Sequence, residues 1–253
     1  MPWHEPFPSK VRRHIQKHIS RAFPRSRYFI TDYLGASFLT DPGGIGTLEL
    51  EAKIRERPEL THLMERCAAL KPHAFIDVGA NIGLYSCILL VNNAVPRAIL
   101  FEPDRVNRIQ LNANLLINGL LDRAEVHGFA LGEENTQLPL VPGAVAKGEY
   151  AMADGGFSMI VDAEVPEDAG SYMVEVARFD DRFDLSGQTL AIKFDIEHYE
   201  CRALAGMERT LRANRCIVQV ESYILRAEVE KMMAGFGYKQ TCDFMPNFVF
   251  ENG

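Results

Sequence analysis

Short apolar runs bounded by turn residues alternate with stretches of helical period over most of this 253-residue chain. Ala74-Phe75-Ile76-Asp77-Val78 stops at Gly79 after too few residues for a helix, and its length and flanks suit a buried strand. Gly79-Ala80-Asn81-Ile82-Gly83 reads as a tight turn into a helix over Leu84 to Leu90, and Ala98-Ile99-Leu100-Phe101 as a second buried strand ending at Glu102. Asp104 can cap a helix that runs through Asn118 and is ended by Gly119. Residues 124–132 read as a third strand and Thr189 to Phe194 as a fourth, followed by a helix to Asn214. Cys216 to Val220 is a fifth strand ending in Glu221, and Ala227 to Phe236 is a helix closed by Gly237. The segments 238–242 and 247–250, on either side of a Pro-containing turn, suit a terminal antiparallel hairpin. This alternation specifies an α/β fold with a doubly wound sheet.

Two regions depart from the rhythm. Residues 1–70 form a cap before the α/β fold: a basic segment, then a hairpin over Tyr28 to Thr40 centred on Leu34-Gly35 and closed at 41–44, then helices over 48–54 and 58–70. The basic segment 9–23 carries Val11, Ile15, Ile19 and Phe23 on one helical face, with Lys and Arg elsewhere. A solvated arm packed on its own domain is favoured for it over contact with a membrane surface or a transit peptide. The second departure is 133–177, rich in Gly, Pro and Ala, which expects a binding loop, a lid or an inserted hairpin.

Composition narrows the class without choosing a function. A hydrophobic content of 47% and a charged content of 24% belong to a soluble globular chain long enough for a full core, and no run approaches the ~20 apolar residues of a membrane span. Net charge is -7, yet residues 1–30 hold seven Lys/Arg against one Glu, leaving -13 on the rest. An acidic body argues against nucleic acid as the main partner. The cysteines at 67, 87, 201, 216 and 242 show no Cys-x-x-Cys spacing, which expects neither a zinc site nor a disulfide framework and fits a reducing cytoplasm.

The glycine turn is the first candidate for chemistry. Glycines at 79 and 83 allow a sharp turn and close approach of a ligand, and Glu102, 19 residues past Gly83, stands where a carboxylate accepts hydrogen bonds from ribose hydroxyls. The dinucleotide fingerprint asks for glycine where this chain has Asn81 and Leu84, so NAD fits poorly. A ligand with a ribose and no pyrophosphate, such as S-adenosylmethionine, needs fewer amides and tolerates Asn81. The end of the third strand, around Ala130, falls near an adenine ring. A plain strand-helix corner that binds nothing is the alternative.

Ligands of open α/β sheets sit beyond the carboxyl ends of the strands, which aligns Gly79, Glu102, Asp195, Glu197, His198 and Glu221 along one edge. Methyl transfer from a sulfonium is largely positional, and a base taking the proton of a hydroxyl acceptor adds roughly 100-fold or more. His198 is the candidate base, with Asp195 or Glu197 orienting it or replacing it; a structural hydrogen bond at a helix start is the alternative for His198. Asp195 and Glu197 offer oxygen ligands to a divalent ion, but two carboxylates are weak grounds for a metal, and none is expected.

Four pieces in order, Phe75-Ile76-Asp77-Val78-Gly79-Ala80-Asn81-Ile82-Gly83-Leu84-Tyr85-Ser86, Phe101-Glu102-Pro103, Asn114 with Asn118-Gly119, and Ile192-Lys193-Phe194-Asp195-Ile196-Glu197, resemble FkbM-type S-adenosylmethionine-dependent methyltransferases over roughly residues 71–240. The resemblance implies a class I methyltransferase fold, Rossmann-like, with seven mostly parallel strands and the antiparallel C-terminal hairpin, and an O-methyl product on a sugar or natural-product hydroxyl. It implies that Asp77, Gly79, Asn81 and Gly83 surround the methionine portion and Glu102 the ribose; Pro103 and Ala130 complete the expected cofactor set. The family's Asp-x-Glu-Gly is here Asp195-Ile196-Glu197-His198, a side chain where a glycine is usual. A module that binds the nucleoside without catalysis is the competing reading. No segment carries a readable code for the acceptor.

Overall fold

A computed structural model describes residues 28–40, 57–141, 158–162, 165 and 170–253. The basic segment 9–23, the turn at 41–44, the helix expected over 48–54 and the glycine pair at 155–156 lie outside them. In chain order the elements are β1 (Phe29–Tyr33), β2 (Ala36–Thr40), α1 (Arg57–Leu70), β3 (Ala74–Val78), α2 (Leu84–Val91), β4 (Ala98–Phe101), α3 (Arg105–Ile117) and β5 (Ala124–His127). There follow β6 (Ala130–Leu131), β7 (Thr136–Val141), β8 (Met159–Ile160), β9 (Tyr172–Ala177), α4 (Phe179–Arg182) and β10 (Thr189–Phe194). The chain ends with α5 (Glu200–Gly206), α6 (Glu208–Ala213), β11 (Arg215–Glu221), α7 (Arg226–Gly235), β12 (Lys239–Phe244) and β13 (Asn247–Glu251).

Seven strands form the central sheet in the order β12-β13-β11-β10-β3-β4-β5. β11, β10, β3, β4 and β5 run parallel, while β13 and β12 are antiparallel, the expected C-terminal hairpin. The inner strands are apolar on both faces because helices cover both. Phe75, Leu100, Ala191 and Ile217 pack on one face with α1, α2 and α3; Ile76, Ile99, Ile192 and Val218 pack on the other with α4 to α7.

Three expectations change. The stretch 124–132 is two strands, not one: β5 ends at His127, and β6 leaves the main sheet to pair parallel with β9. The stretch 133–177 is neither a plain loop nor a single hairpin, because β7, β8 and β9 join β6 in a second, four-stranded sheet. The helix expected to run to Asn214 breaks at Met207 into α5 and α6. Gly206, at the break, lies so close to the Gly132 carbonyl that an added Cβ would collide with it.

The β1–β2 hairpin turns at Leu34 and Gly35, both with positive φ (46° and 86°), the conformation of a two-residue turn that matches strand twist. Side chains of α3 bond the free edge of β2. Asn118 accepts from the Ser37 amide at 2.8 Å, and Asn114 accepts from the Leu39 amide at 2.9 Å. Asn114 is fully buried and also donates to the Ile82 carbonyl at 2.8 Å, so one side chain ties the hairpin to the glycine turn. Removing it leaves a part-buried amide and a buried carbonyl unpaired, the buried one costing about 1–3 kcal/mol. Asn114→Ala is therefore expected to lower unfolding free energy by about 2 kcal/mol or more in urea titration.

Candidate active site

The site starts at two chain crossings at the carboxyl edge of the sheet. β3 exits into Gly79, whose φ is +83°, and an added Cβ there would collide with the Asp195 carbonyl leaving β10. Only glycine allows the two exits to lie so close. The turn then spends its own amides. Gly79 and Ala80 both donate to the Phe101 carbonyl at 3.0 Å, Asn81 donates to Glu102 Oε2 at 2.7 Å, and Gly83 donates to the Ala80 carbonyl at 2.7 Å. A pyrophosphate cradle needs such amides free, so the turn is not one.

Glu102 closes the turn from the end of β4. It is 4% exposed, with Oε1 accepting from the Asp104 amide at 2.8 Å and Oε2 from the Asn81 amide. Burial pushes its carboxyl up to about 8, against the two backbone amides that pull it down. Each oxygen keeps a second acceptor direction for a ligand.

Beneath the turn lies a buried polar row. Strand register sets Asp77, Lys193 and Gln219 side by side on β3, β10 and β11. The first turn of α2 sits on them: Ser86 donates to Asp77 at 2.6 Å, the Lys193 ammonium lies 4.6 Å from the Tyr85 ring centre, and Gln219 donates to the Tyr85 hydroxyl at 3.2 Å. Lys193 is 2% exposed, and its Nζ is 2.5 Å from Asp195 Oδ2.

A cleft of about 680 Å³, open to solvent, runs along this edge. Of the expected cofactor residues, Gly79, Asn81, Glu102, Pro103 and Ala130 line it. Asp77 lies behind it, bonded to Ser86, and Gly83 faces Leu111, which an added Cβ would strike. Leu140 and Ile160 of the second sheet roof the cleft. The roof is tied down where α3 begins: Ser158 donates to Asp104 at 2.5 Å, the Arg105 amide donates to the Tyr172 hydroxyl at 3.0 Å, and the Arg105 guanidinium lies 4.1 Å from the Tyr172 ring centre.

Asp195 and Glu197 line both the cleft and a smaller pocket of about 190 Å³ beside it. His198 and Glu221 line only the smaller one. His198 has φ +73° and Glu197 +48°, so the chain turns left-handed twice in succession without glycine. Glu200, 1% exposed, holds this turn by accepting from the His198 amide at 2.9 Å, and burial pushes its carboxyl up to about 7. His198 Nδ1 is buried and has no hydrogen-bond partner among the described residues. No group of three or more His, Cys, Asp or Glu among the described residues is placed to hold a metal ion.

Lys193 and Glu200 were not anticipated as site residues. A lysine in the apolar run Thr189-Leu190-Ala191-Ile192-Lys193-Phe194 was a usable signal, since a buried cation demands a partner. Glu200 gave none, because its role depends on the backbone path of Glu197 and His198.

A family profile described as the methyltransferase FkbM domain matches residues 77–252. The chain belongs to the FkbM methyltransferase family. Among solved structures, methyltransferase FkbM from Methylobacillus flagellatus KT is 22% identical with a TM-score of 0.51, over 71% of this chain and 43% of that one, and it shares the fold. This FkbM chain thus spans less than half of that protein. A methyltransferase from Geobacter sulfurreducens aligns over 98% of this chain and 99% of its own at 13% identity and a TM-score of 0.45. The B. subtilis M1A22 tRNA methyltransferase TrmK aligns over 77% and 65% at 12% identity and 0.43. No curated protein matches the chain.

His198 has a left-handed φ of +73°, where a side chain costs roughly 1–2 kcal/mol. His198→Gly is expected to raise unfolding free energy by about 1 kcal/mol, read from the urea midpoint. Glu102 and Glu200 hold protons in the folded state that the unfolded chain releases near its ordinary carboxyl range. Their contribution is complete at low pH and is lost as pH rises through about 7 to 8, at up to about 1.4 kcal/mol per pH unit for each group. Unfolding midpoints at pH 5.5 and 8.5 should show the fall, and Glu200→Gln should make it shallower.

Proposed function

We propose that this FkbM domain uses S-adenosylmethionine to methylate a hydroxyl of a sugar or natural-product acceptor. The observation that carries the reading is Glu102, a buried carboxylate at the end of β4 beside a turn in which the amides of Gly79, Ala80, Asn81 and Gly83 are already spent. That pairing suits a nucleoside whose ribose hydroxyls donate to Glu102 and which brings no pyrophosphate. Gly79 and Asn81 would border the methionine portion, with Asp77 and Gly83 shaping the turn behind them, and Pro103 and Ala130 would border the base. When bound, the cofactor supplies an electrophilic sulfonium methyl.

Asp195 and Glu197, shared by cleft and smaller pocket, stand where cofactor and acceptor would meet. Their carboxylates accept hydrogen bonds from acceptor hydroxyls and orient them. His198, which lines the smaller pocket, would take the hydroxyl proton during attack. The carboxylates of Asp195, Glu197 and Glu221 disfavour a phosphodiester and support a small-molecule or carbohydrate acceptor over nucleic acid. Five unpaired cysteines support a cytoplasmic setting, and no helix among the described residues is long and apolar enough to cross a membrane.

Calorimetry with S-adenosylhomocysteine tests the cofactor. Below about pH 8 Glu102 keeps its proton, and ribose hydroxyls donate best to the ionised form, so affinity should rise from pH 6 through 8 and level off above about pH 9. Glu102→Gln should bind at least about 10-fold more weakly and lose the pH dependence; unchanged affinity in that variant would remove Glu102 from the site. Transfer of a tritiated methyl group into cell extracts tests catalysis. His198→Gly is expected to bind cofactor normally and transfer about 100-fold more slowly. Binding with no transfer to any acceptor favours a non-catalytic module.

A further inference from the structure

We propose that Asn107 reads the base of the bound nucleoside, its side-chain amide pairing with the exocyclic amine and an adjacent ring nitrogen of adenine. The inference rests on the cofactor reading of the cleft and adds to it the residue that selects the base. Asn107 lies in the first turn of α3, is 7% exposed and lines the cleft that Glu102 closes.

Its amide has no hydrogen-bond partner among the described residues. The contrast is within one helix. Asn114, two turns on and fully buried, uses its amide oxygen on the Leu39 amide and its amide nitrogen on the Ile82 carbonyl. Neither atom of the Asn107 amide is among the fully buried polar atoms without a partner, so the amide reaches the solvent of the cleft with its donor and its acceptor uncommitted. Asn107 faces an open cleft, so the missing partner is one the cleft admits.

The surroundings specify that partner's shape and chemistry. Phe101, Leu131, Leu140 and Ile160 make the adjoining walls apolar, which suits a flat ring and gives polar ring edges no other side chain to bond among these four. Glu102, five residues before Asn107, stands at the ribose position, and the base is joined directly to the ribose. An asparagine amide presents a donor beside an acceptor, and adenine presents an amine beside a ring-nitrogen acceptor, a two-bond match. A sugar or methionine chain offers no such fixed, planar pair.

The test compares S-adenosylhomocysteine with its analogue lacking the exocyclic amine, by calorimetry on the full chain. The unmodified protein is expected to prefer the amine-bearing ligand at least 10-fold, and Asn107→Ala to bring the ratio near one by weakening that ligand alone. Asn107→Ser serves as a second variant with the same expected ratio. Because the ratio compares two ligands on one sample, partial unfolding does not alter it. An unchanged ratio in both variants, equal weakening of both ligands, or no preference in the unmodified protein overturns the assignment. Failure of the unmodified protein to bind either ligand is a different result: it overturns the cofactor reading, and the base assignment with it.

Discussion

A lysine ammonium buried in a parallel sheet has to be met by partners on the sheet and above it, and the carboxyl edge of this fold is arranged around Lys193. Asp195 supplies the counter-charge at 2.5 Å, and the ring of Tyr85 lies against the ammonium from α2. Gln219, the register neighbour of Lys193, donates to the Tyr85 hydroxyl, and Ser86 donates to Asp77 on the other side. A buried ion pair is weak evidence for net stability, because desolvation offsets most of the attraction. Its effect here is positional. It seats the first turn of α2 on the sheet, which aims the glycine turn, and it holds the Asp195 carboxylate at the wall between two pockets.

The same edge is crowded in backbone as well as charge. Gly79 and Asp195 meet at a separation that excludes a Cβ, and two residues after Asp195 the chain enters two successive left-handed conformations. Such conformations persist where surrounding structure over-determines them. Here Glu200 does so, by accepting the His198 amide. Backbone geometry alone would admit glycine at His198, since glycine adopts a left-handed φ without strain.

The second sheet makes a cleft out of an edge. β6 leaves the main sheet after His127, and β7, β8 and β9 build on it until Leu140 and Ile160 overhang Glu102. The roof is tied by Ser158 to Asp104, the residue that caps α3 by accepting from the Val106 amide. Asp104 also donates its own amide to Glu102, so roof, helix start and candidate ribose carboxylate share one anchor.

Local pattern was enough for the strand, glycine turn, helix, strand and acidic residue between Ala74 and Glu102, because each is dictated by residues close in sequence: an apolar run too short for a helix, glycines where φ is positive, a carboxylate where the strand ends. The mostly parallel sheet and its terminal hairpin followed from the same alternation. What lay beyond reach depended on contacts between distant segments. Gly206 breaks a helix because Gly132 passes beside it, and 124–132 divides because its second half finds β9, some 45 residues later, a better partner than the main sheet. The motif expects Asp77 and Gly83 around the methionine portion; packing sets Asp77 against Ser86 and Gly83 against Leu111. Asn114 looked like a family signature, and the fold makes it a tie between the hairpin and the turn. The sequence by itself thus determined the strand-turn-helix edge that borders the cleft, since turn chemistry is local; which side chains face that cleft was decided only by tertiary packing, because burial and free hydrogen-bonding capacity are properties of the assembled chain.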